Sequence, residues 1–259
     1  MTDQHLTVLV VGATGSVGRH VVATALAAGH RTRALARTSY KAQGLARGAE
    51  VVIGDLTDTA SLHEAVADID AVVFTHGDNG NAEAVNYGAV KNVLDALRGR
   101  RVRIALMTTI GVTALRDSSE WKRRGERLVR ASGNEYTIVR PGWFDHNDAD
   151  QLHIAPRQGD THQTGTPADG VIARRQIARV LVDSLTSPDA EHRTFELVAD
   201  RGPEQQDLGP VFAALPADDR DSVDGAGDAD NLPLDQEPQR VVDDLDRVRQ
   251  RGTRRPDRP

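Results

Sequence analysis

Short apolar segments rich in β-branched residues recur along the chain and alternate with stretches that have helical spacing. Seven of these segments predict strands, at residues 6–11, 31–36, 50–53, 71–75, 103–108, 136–139 and 194–198. They are mostly apolar rather than alternating, which is typical of strands buried on both faces. Between them, a helix over residues 16–28 ends at Gly29, and residues 81–98 carry one apolar stripe, Val90, Val93, Leu94 and Leu97. This order predicts right-handed βαβ units and an α/β fold with a doubly wound parallel sheet.

The pattern fails between residues 145 and 167, which are polar, contain Gly and Pro and show no period. Loops of this length within a compact domain usually cover or form a binding site, so residues 145–170 are predicted to be a substrate loop. A helix over residues 172–185 follows, and the strand at 194–198 is expected to close an edge of the sheet. One domain is therefore predicted over residues 1–200.

Beyond Asp200 the chain becomes rich in Asp, Pro, Gly and Arg. Two weak helical patterns are present there, at residues 208–215 and 241–249. Residues 216–239 and 252–259 are expected to be linker or disordered. Residues 201–259 are thus predicted to form an acidic C-terminal extension that is partly helical or disordered.

Charge is distributed unevenly over the 259 residues. Residues 1–199 carry 23 Lys and Arg against 23 Asp and Glu, whereas residues 200–259 carry 9 against 15, which accounts for the net charge of −6. A neutral body with an acidic end gives no electrostatic reason to expect nucleic acid or an anionic membrane as a partner. There is no cysteine, no basic leader and no apolar run long enough to cross a bilayer, so a soluble cytoplasmic protein is expected.

The sequence GATGSVGRH lies at the first predicted strand-to-helix junction, with glycines at Gly12, Gly15 and Gly18. A dinucleotide site needs a tight turn, a backbone free of side chains for the pyrophosphate, and a helix N-terminus whose N–H groups favour an anion. The glycine spacing alone is weak, but its position after the first strand is the context that the motif requires. The alternative is a glycine-rich turn that binds no ligand.

The carboxyl ends of the next strands bear on the choice of nucleotide. In RTRALARTS the second strand ends at Arg37 with no carboxylate nearby. An arginine suits the 2′-phosphate of NADP, whereas an acidic residue would bond the 2′-hydroxyl of NAD, so NADP is favoured. A solvated surface arginine is the alternative. Asp55 and Leu56 would reach an adenine ring, unless Asp55 instead caps the helix that begins near residue 59. The fourth strand ends on the same edge with Thr75, His76 and Gly77.

Taken together, GATGSVG, RALAR, GDLTD, DAVVFTHG, NYGAVKNVLDAL and KxxxExLVRASGNEYTIVRPG make residues 6–200 resemble a known family. The chain resembles the atypical short-chain dehydrogenase/reductases, in the NmrA-like and flavin- or biliverdin-reductase-like branch. The resemblance implies a Rossmann-type domain that binds NADP. It places the pyrophosphate on Gly12, Thr14, Gly15, Ser16, Val17 and Gly18, the 2′-phosphate on Arg37, the adenine on Asp55 and Leu56, the ribose on Thr75, His76 and Gly77, and the nicotinamide on Thr108, Lys122, Pro141 and Gly142.

In classical members of that superfamily, a serine after the fifth strand and a tyrosine four residues before a lysine transfer the proton. Here Thr108 and Thr109 keep a hydroxyl at the serine's place and Lys122 has the lysine's context, but the tyrosine's position holds Ser118. A serine hydroxyl is a much poorer acid than a phenol, whose pKa is about 10, so it cannot simply take over proton donation. Thr109, Ser118 and Lys122 are the candidate catalytic residues.

Two further lysine-containing pairs have competing interpretations. Tyr87 and Lys91 have the catalytic spacing, but they lie on the helix before the fifth strand, and Tyr87 falls at the margin of its buried stripe. A structural role is therefore expected for Tyr87. Lys122 and Glu126 share a helix face, and such pairs often only decorate a solvated surface. The position of Lys122 beside the apolar stripe of its helix favours a contact with the cofactor instead.

Hydride transfer without a built-in phenol suits an acceptor whose reduced anion is delocalised, such as a flavin or a quinone. Trp143 and Phe144, directly after the sixth strand, are candidates for the substrate wall, or for hydrophobic cover at the start of the loop. The loop histidines, His146, His153 and His162, have no regular spacing, so no metal site is predicted.

The leading hypothesis is an NADPH-dependent oxidoreductase that reduces a small conjugated acceptor. One alternative is a non-catalytic NADP-binding sensor or regulatory protein, which the missing tyrosine would suit. Another is an NAD(P)-dependent sugar-nucleotide epimerase or dehydratase, although such enzymes normally rely on that tyrosine. A small-molecule substrate is the expected partner, and a homo-oligomer is compatible with the sequence.

Overall fold

The computed structural model describes residues 5–253, apart from the side chain of Asp117. Eight strands form one sheet in the order β3-β2-β1-β4-β5-β6-β10-β8, and a separate pair joins β7 to β9. All neighbours in the large sheet are parallel except β10 and β8, which are antiparallel. The strands are β1 Thr7–Val11, β2 Arg31–Ala36, β3 Glu50–Ile53, β4 Ala71–Phe74, β5 Arg103–Met107, β6 Tyr136–Pro141, β7 Trp143–Phe144, β8 His153–Arg157, β9 Val171–Ile172 and β10 Arg193–Asp200.

Helices cover both faces of the sheet, as the apolar strands predict. Val8 and Val10 of β1 join the core on one face and Leu9 and Val11 the core on the other. The helices on the first face are α1 Gly18–Ala27, α5 Arg174–Asp183 and α6 Gly209–Ala213; on the second they are α2 His63–Val66, α3 Gly88–Leu97, α4 Asp117–Ala131 and α7 Gln239–Thr253. The predicted doubly wound α/β sheet is confirmed. None of the described helices is long and apolar enough to span a bilayer.

The edge of the sheet differs from the prediction. The strand predicted at 194–198 corresponds to β10, which lies between β6 and β8 rather than at the edge. The edge is β8, which belongs to the segment predicted to be loop, with Pro156 opposite Leu197. Edge strands tolerate proline because one row of their N–H groups needs no partner. In the sequence alone, however, a proline argues against a strand, so this segment did not show a clear strand pattern.

The acidic strap, residues 216–239, is not the predicted linker. Its carboxylates pair with buried arginines of α4 and β6: Asp224 accepts from Arg127 Nη2 at 2.7 Å and Glu237 from Arg127 Nη1 at 2.8 Å. Asp228 accepts from Arg140 Nη2 at 2.7 Å. An Asp- and Gly-rich composition suggests disorder because charged groups are costly to bury, but here opposite charges compensate one another.

The regions on either side of the strap match the predicted helices more closely. The helical pattern at 208–215 becomes α6, and the pattern at 241–249 lies within α7. Tyr87 of the segment before α3 donates to Asp244 of α7 at 2.8 Å. Residues 252 and 253, expected to be disordered, end α7. Residues 254–259 lie outside the described residues, so the expectation for them stays a prediction.

Candidate functional site

A cleft of about 1140 Å³ runs along the carboxyl ends of the parallel strands β1 to β6. Ligands of open α/β sheets bind at this edge, and the volume is at the upper end of small-molecule sites. The predicted site residues line this one cleft, with the exception of Gly18. They are Gly12, Thr14, Gly15, Ser16, Val17, Arg37, Asp55, Leu56, Thr75, His76, Gly77, Thr108, Thr109, Ser118, Lys122, Pro141, Gly142, Trp143 and Phe144.

The glycine turn between β1 and α1 is closely packed behind the cleft. Gly12 has φ +81°, and a Cβ on it would lie 2.7 Å from the backbone nitrogen of His76. A Cβ on Gly18 would lie 2.1 Å from the carbonyl oxygen of Gly12, which explains why Gly18 supports the turn without lining the cleft. The N-terminus of α1 has no side-chain cap and no acidic residue in its first turn. Its amide groups and the bare turn fit a pyrophosphate.

Cationic side chains line the cleft beside β2. Arg37 and Lys41 are both exposed there. Arg19 of α1 donates to the carbonyl oxygens of Thr14 and Gln43, each at 3.1 Å, and thereby ties the segment after β2 to the glycine turn. The arrangement fits a phosphate group next to the first one, as expected for the 2′-phosphate of NADP.

Asp55 at the end of β3 keeps its carboxylate in a local turn. Its Oδ1 accepts from the backbone nitrogen of Thr57 at 2.9 Å and from its hydroxyl at 2.8 Å. These hydrogen bonds, the backbone one first, lower the pKa of Asp55, and the charge of Arg37 acts in the same direction. The helical turn that follows is capped by Asp58, which accepts from Ala60 at 3.0 Å. The alternative role considered for Asp55 therefore belongs to Asp58.

The hydroxyl at the end of β5 is held by a buried carboxylate. Thr108 Oγ1 donates to Glu126 Oε1 at 2.6 Å, and Arg140 Nη2 donates to Glu126 Oε2 at 2.7 Å. Glu126 and Arg140 are fully buried. The proton of the Thr108 hydroxyl is thus engaged, so towards a ligand this oxygen can only accept. The neighbouring Thr109 hydroxyl donates to the carbonyl oxygen of Ile110 at 3.2 Å.

Ser118 and Lys122 lie one turn apart on α4 and both line the cleft. Burial lowers the pKa of Lys122, while the Glu126 carboxylate acts in the opposite direction. The surface alternative for Lys122 does not fit this partly buried position. In the first turn of α4 the Ser119 hydroxyl donates to the carbonyl oxygen of Arg116 at 2.7 Å, so Ser118 is not needed as a cap.

His76 presents an unused imidazole nitrogen at the end of β4. Its Nδ1 is shielded from solvent and has no hydrogen-bond partner among the described residues. Burial lowers the pKa of His76 to about 4, and the charge of Lys122 contributes in the same direction. The ring is therefore neutral at neutral pH.

None of the three tyrosines lines the cleft. Tyr87 is buried against α7 and its pKa is raised by burial and by its bond to Asp244, which agrees with the structural role predicted for it. The lysine of that pair, Lys91, binds Asp95 at 3.0 Å. Tyr136 donates to Asp218 of the strap at 3.0 Å, and Tyr40 is 74% exposed.

Trp143 and Phe144, which form β7, also line the cleft. This two-residue strand pairs with β9 and is fixed by the close approach of Gly142 to Gly170. Trp143 keeps 39% of its surface exposed. The three loop histidines do not line the cleft. Among residues 5–253 no three His, Asp or Glu side chains are grouped to hold a metal ion.

Several cleft residues were not predicted from the sequence. They include Asp78, Asn79, Arg116, Gln163, Gly165 and Asp169. Asp160 fixes the segment that leads to Arg116, since its carboxylate accepts from Gly111 N at 2.6 Å and from Thr113 N at 2.7 Å. The loop predicted at 145–170 thereby contributes to the cleft. The sequence of this loop shows only that it lacks periodicity. That property indicates a loop but does not identify which of its residues line the cleft.

A family described as NAD(P)H-binding matches residues 12–188. The chain belongs to this family. It is 30% identical over 219 residues to an NAD(P)H azoreductase of Xenophilus azovorans, across 81% of this chain and 73% of the relative. It is 31% identical over 200 residues to a (4-alkanoyl-5-oxo-2,5-dihydrofuran-3-yl)methyl phosphate reductase of Streptomyces griseus, across 76% of this chain and 68% of the relative.

Solved structures share the fold of this NAD(P)H-binding protein. An anaerobillin reductase from Escherichia coli O157:H7 superposes with a TM-score of 0.60 at 22% identity, over 74% of this chain and 96% of that one. The resemblance to atypical short-chain dehydrogenase/reductases is confirmed, and so is the expectation of an NAD(P)H cofactor and an oxidoreductase at the level of the family. The roles of single residues and the cytoplasmic location stay predictions.

Proposed function

We propose that the protein is an NADPH-dependent reductase that delivers a hydride to a small, flat, conjugated acceptor of the quinone, flavin or azo class, without a tyrosine as proton donor. The observation that carries the proposal is the joining of two surfaces in one cleft. The bare glycine turn and Arg37 line one part of this cleft, and Trp143, with 39% of its surface exposed, lines another part.

The nucleotide end supports NADPH over NADH. The amides at the start of α1 and Ser16 hold the pyrophosphate, while Arg37, with Lys41 beside it, binds the 2′-phosphate. The carboxylate that an NAD site would present to the 2′-hydroxyl is missing at the end of β2. Asp55 Oδ1 accepts hydrogen bonds from Thr57. Among the described residues no side chain or amide donates to its other oxygen, which can therefore face the adenine.

Bound NADPH supplies the hydride, and the protein supplies position. Lys122 holds the ribose next to the nicotinamide, and Thr108 accepts a hydrogen bond in an orientation that Glu126 fixes. Trp143 offers a flat face against which a conjugated ring can lie, which orients the two rings. With Ser118 in place of the tyrosine, the proton comes from water, which suits acceptors with delocalised reduced anions. The relatives include an NAD(P)H azoreductase and a (4-alkanoyl-5-oxo-2,5-dihydrofuran-3-yl)methyl phosphate reductase, and these two names support a reductase function.

A second candidate is a sensor that binds NADP without turning over a substrate. The observation that favours it is the engagement of the hydroxyl that stands at the catalytic serine's place, since Thr108 donates to Glu126. Together with Ser118, this leaves no strong acid at the reaction centre.

One experiment separates the two. NADPH oxidation is followed by absorbance with a panel of quinones, flavins and azo compounds, and NADPH affinity is measured in parallel by calorimetry. Turnover of at least one class together with tight NADPH binding supports the reductase. Tight NADPH binding with no turnover across the panel would favour the sensor function over the reductase function. A lack of affinity for both NADPH and NADH would reject both functions.

A further inference from the structure

Two cations, Arg116 and Lys122, line the same cleft as Trp143 and Phe144. Arg116, at the residue before α4, is exposed and lines the cleft. Its Nη2 donates to the carbonyl oxygen of Gln163 at 3.2 Å, and a guanidinium has five donors. Lys122 stands on the first turns of α4 in the same cleft. Within residues 5–253, Asp117 apart, no carboxylate lies within ion-pair distance of either cation.

The backbone that presents Arg116 is held in an uncommon conformation. Leu115 has φ +51° and is 43% exposed. A bulky residue in the left-handed region is an outlier, and such strain clusters at ligand clamps. The loop is kept there by Asp160, which accepts from the amide and the hydroxyl of Thr113 at 2.7 and 2.9 Å. Arg116 is therefore displayed by a fixed loop rather than by a mobile one.

The acidic residues that line the cleft near Arg116 are held by backbone amides rather than by the two cations. Asp169 accepts from the backbone nitrogens of Thr164 and Gly165, each at 2.7 Å. Asp78 accepts from the backbone nitrogens of Gly80 and Asn81 at 2.7 and 2.8 Å. Glu126, the acidic neighbour of Lys122, is engaged by Arg140 and Thr108. The remaining donors of Arg116 are therefore not taken up by these carboxylates, and a charge-assisted hydrogen bond to an acidic ligand group is open to them.

We propose that the acceptor carries an acidic group, a carboxylate, sulfonate or phosphate, and that Arg116 binds this group while the conjugated ring lies against Trp143. This inference rests on the proposed reductase function and names its substrate class. In the step itself the acceptor gains a hydride from NADPH and one proton from water, and NADP⁺ is released. The acidic group is not changed by the reaction, so it acts only through binding.

The test uses acceptor pairs that share the reducible group and differ in charge. The pairs are FMN with riboflavin, and azobenzene-4-carboxylate with azobenzene-4-carboxamide. Wild-type protein is expected to show a kcat/KM at least about tenfold higher for the anionic member, in line with a charge-assisted hydrogen bond. Arg116→Gln should lower kcat/KM about tenfold for the anion, through KM, and leave the neutral acceptor within about twofold.

Two variants control for indirect effects. Arg116→Lys keeps the charge and should restore most of the preference for the anion. Arg220→Gln removes an exposed arginine of the strap that does not line the cleft, and should change neither acceptor. Melting temperatures of all variants check that the fold is kept.

Binding is measured as well, so that a failure of the anion-site proposal can be distinguished from a failure of the proposed reductase function. The affinity of FMN and of riboflavin for the protein saturated with NADP⁺ is titrated by flavin fluorescence. Tighter binding of FMN that depends on Arg116 supports the anion site even where no acceptor is reduced. Equal affinity and equal kcat/KM for both members, or equal losses on Arg116→Gln, overturn the inference while leaving the reductase intact.

Discussion

Replacing Asp224 by asparagine removes one negative charge from the acidic strap without changing the size of the side chain. Asp224 Oδ1 accepts from Arg123 Nε and from Arg127 Nε, each at 2.9 Å, and Oδ2 accepts from Arg127 Nη2 at 2.7 Å. The side chain of Asp224 is 22% exposed, whereas those of Arg123 and Arg127 are 0% and 1% exposed. The substitution therefore leaves buried positive charge with less compensation.

The remaining partners of Arg123 and Arg127 limit the loss of stability that Asp224→Asn causes. Arg127 keeps Glu237 at 2.8 Å, and Arg123 keeps the carbonyl oxygen of Ala229 at 2.7 Å. Breaking a buried pair costs ~3–5 kcal/mol, so the lower end, ~3 kcal/mol, is expected for the free energy of unfolding. For a chain of this size that corresponds to a fall in Tm of roughly 6–12 °C.

Urea unfolding followed by circular dichroism measures the change, and the same titration tests whether the transition has a single step. Asp221→Asn is the matched control, since Asp221 is an exposed residue of the same strap. This variant should lose less than about 0.5 kcal/mol of the free energy of unfolding.

Burial acts to raise the pKa of Asp224, but the bonds from Arg127 outweigh it and lower this pKa. The stabilisation is then lost as the pH falls through the carboxyl range, where wild type and Asp224→Asn should converge. A loss no larger than that of the control would refute the description of the strap as a structural part of the domain.

Three further predictions concern the cleft and its surroundings. Arg37→Glu should raise the KM for NADPH at least about tenfold and that for NADH much less, because a carboxylate repels the 2′-phosphate; equal changes in steady-state assays would count against the assignment. Ser118→Ala should leave kcat within about twofold, whereas a loss of about a hundredfold would identify Ser118 as a general acid. Burial raises the pKa of Glu196 from 4.5 to about 7. The folded protein then holds a proton that the unfolded chain releases, so stability falls as pH rises across this window. Glu196→Gln should flatten that fall in urea titrations at about pH 5 and about pH 8, and an unchanged slope would show that another group is responsible.

The sheet and the nucleotide half of the cleft could be predicted because their signals are local. Apolar strands such as residues 71–74 show burial on both faces within a few positions. Gly12 and its neighbours sit directly after a strand, and Arg37 ends the next one, so topology alone brings them to the same edge.

The remaining parts of the fold and of the cleft depend on contacts between residues that are far apart in the sequence. Arg116 and Gln163 meet across 47 positions, and no period in either segment indicates the partner. The strap was missed for the same reason, since the composition shows many aspartates but not that Asp224 and Asp228 face buried guanidinium groups. The edge strand β8 was hidden by its length of 5 residues and by Pro156.

The long separation between α4 and the strap also affects the order of events during protein synthesis. Asp224 is made 101 residues after Arg123, and at ~5–20 residues per second the ribosome needs roughly 5–20 s to supply it. Until then, the guanidinium groups of α4 have no intramolecular carboxylates from the strap to neutralise them. A nascent chain that stops before residue 216 would consequently lack the carboxylates that pair with Arg123 and Arg127 in the folded domain.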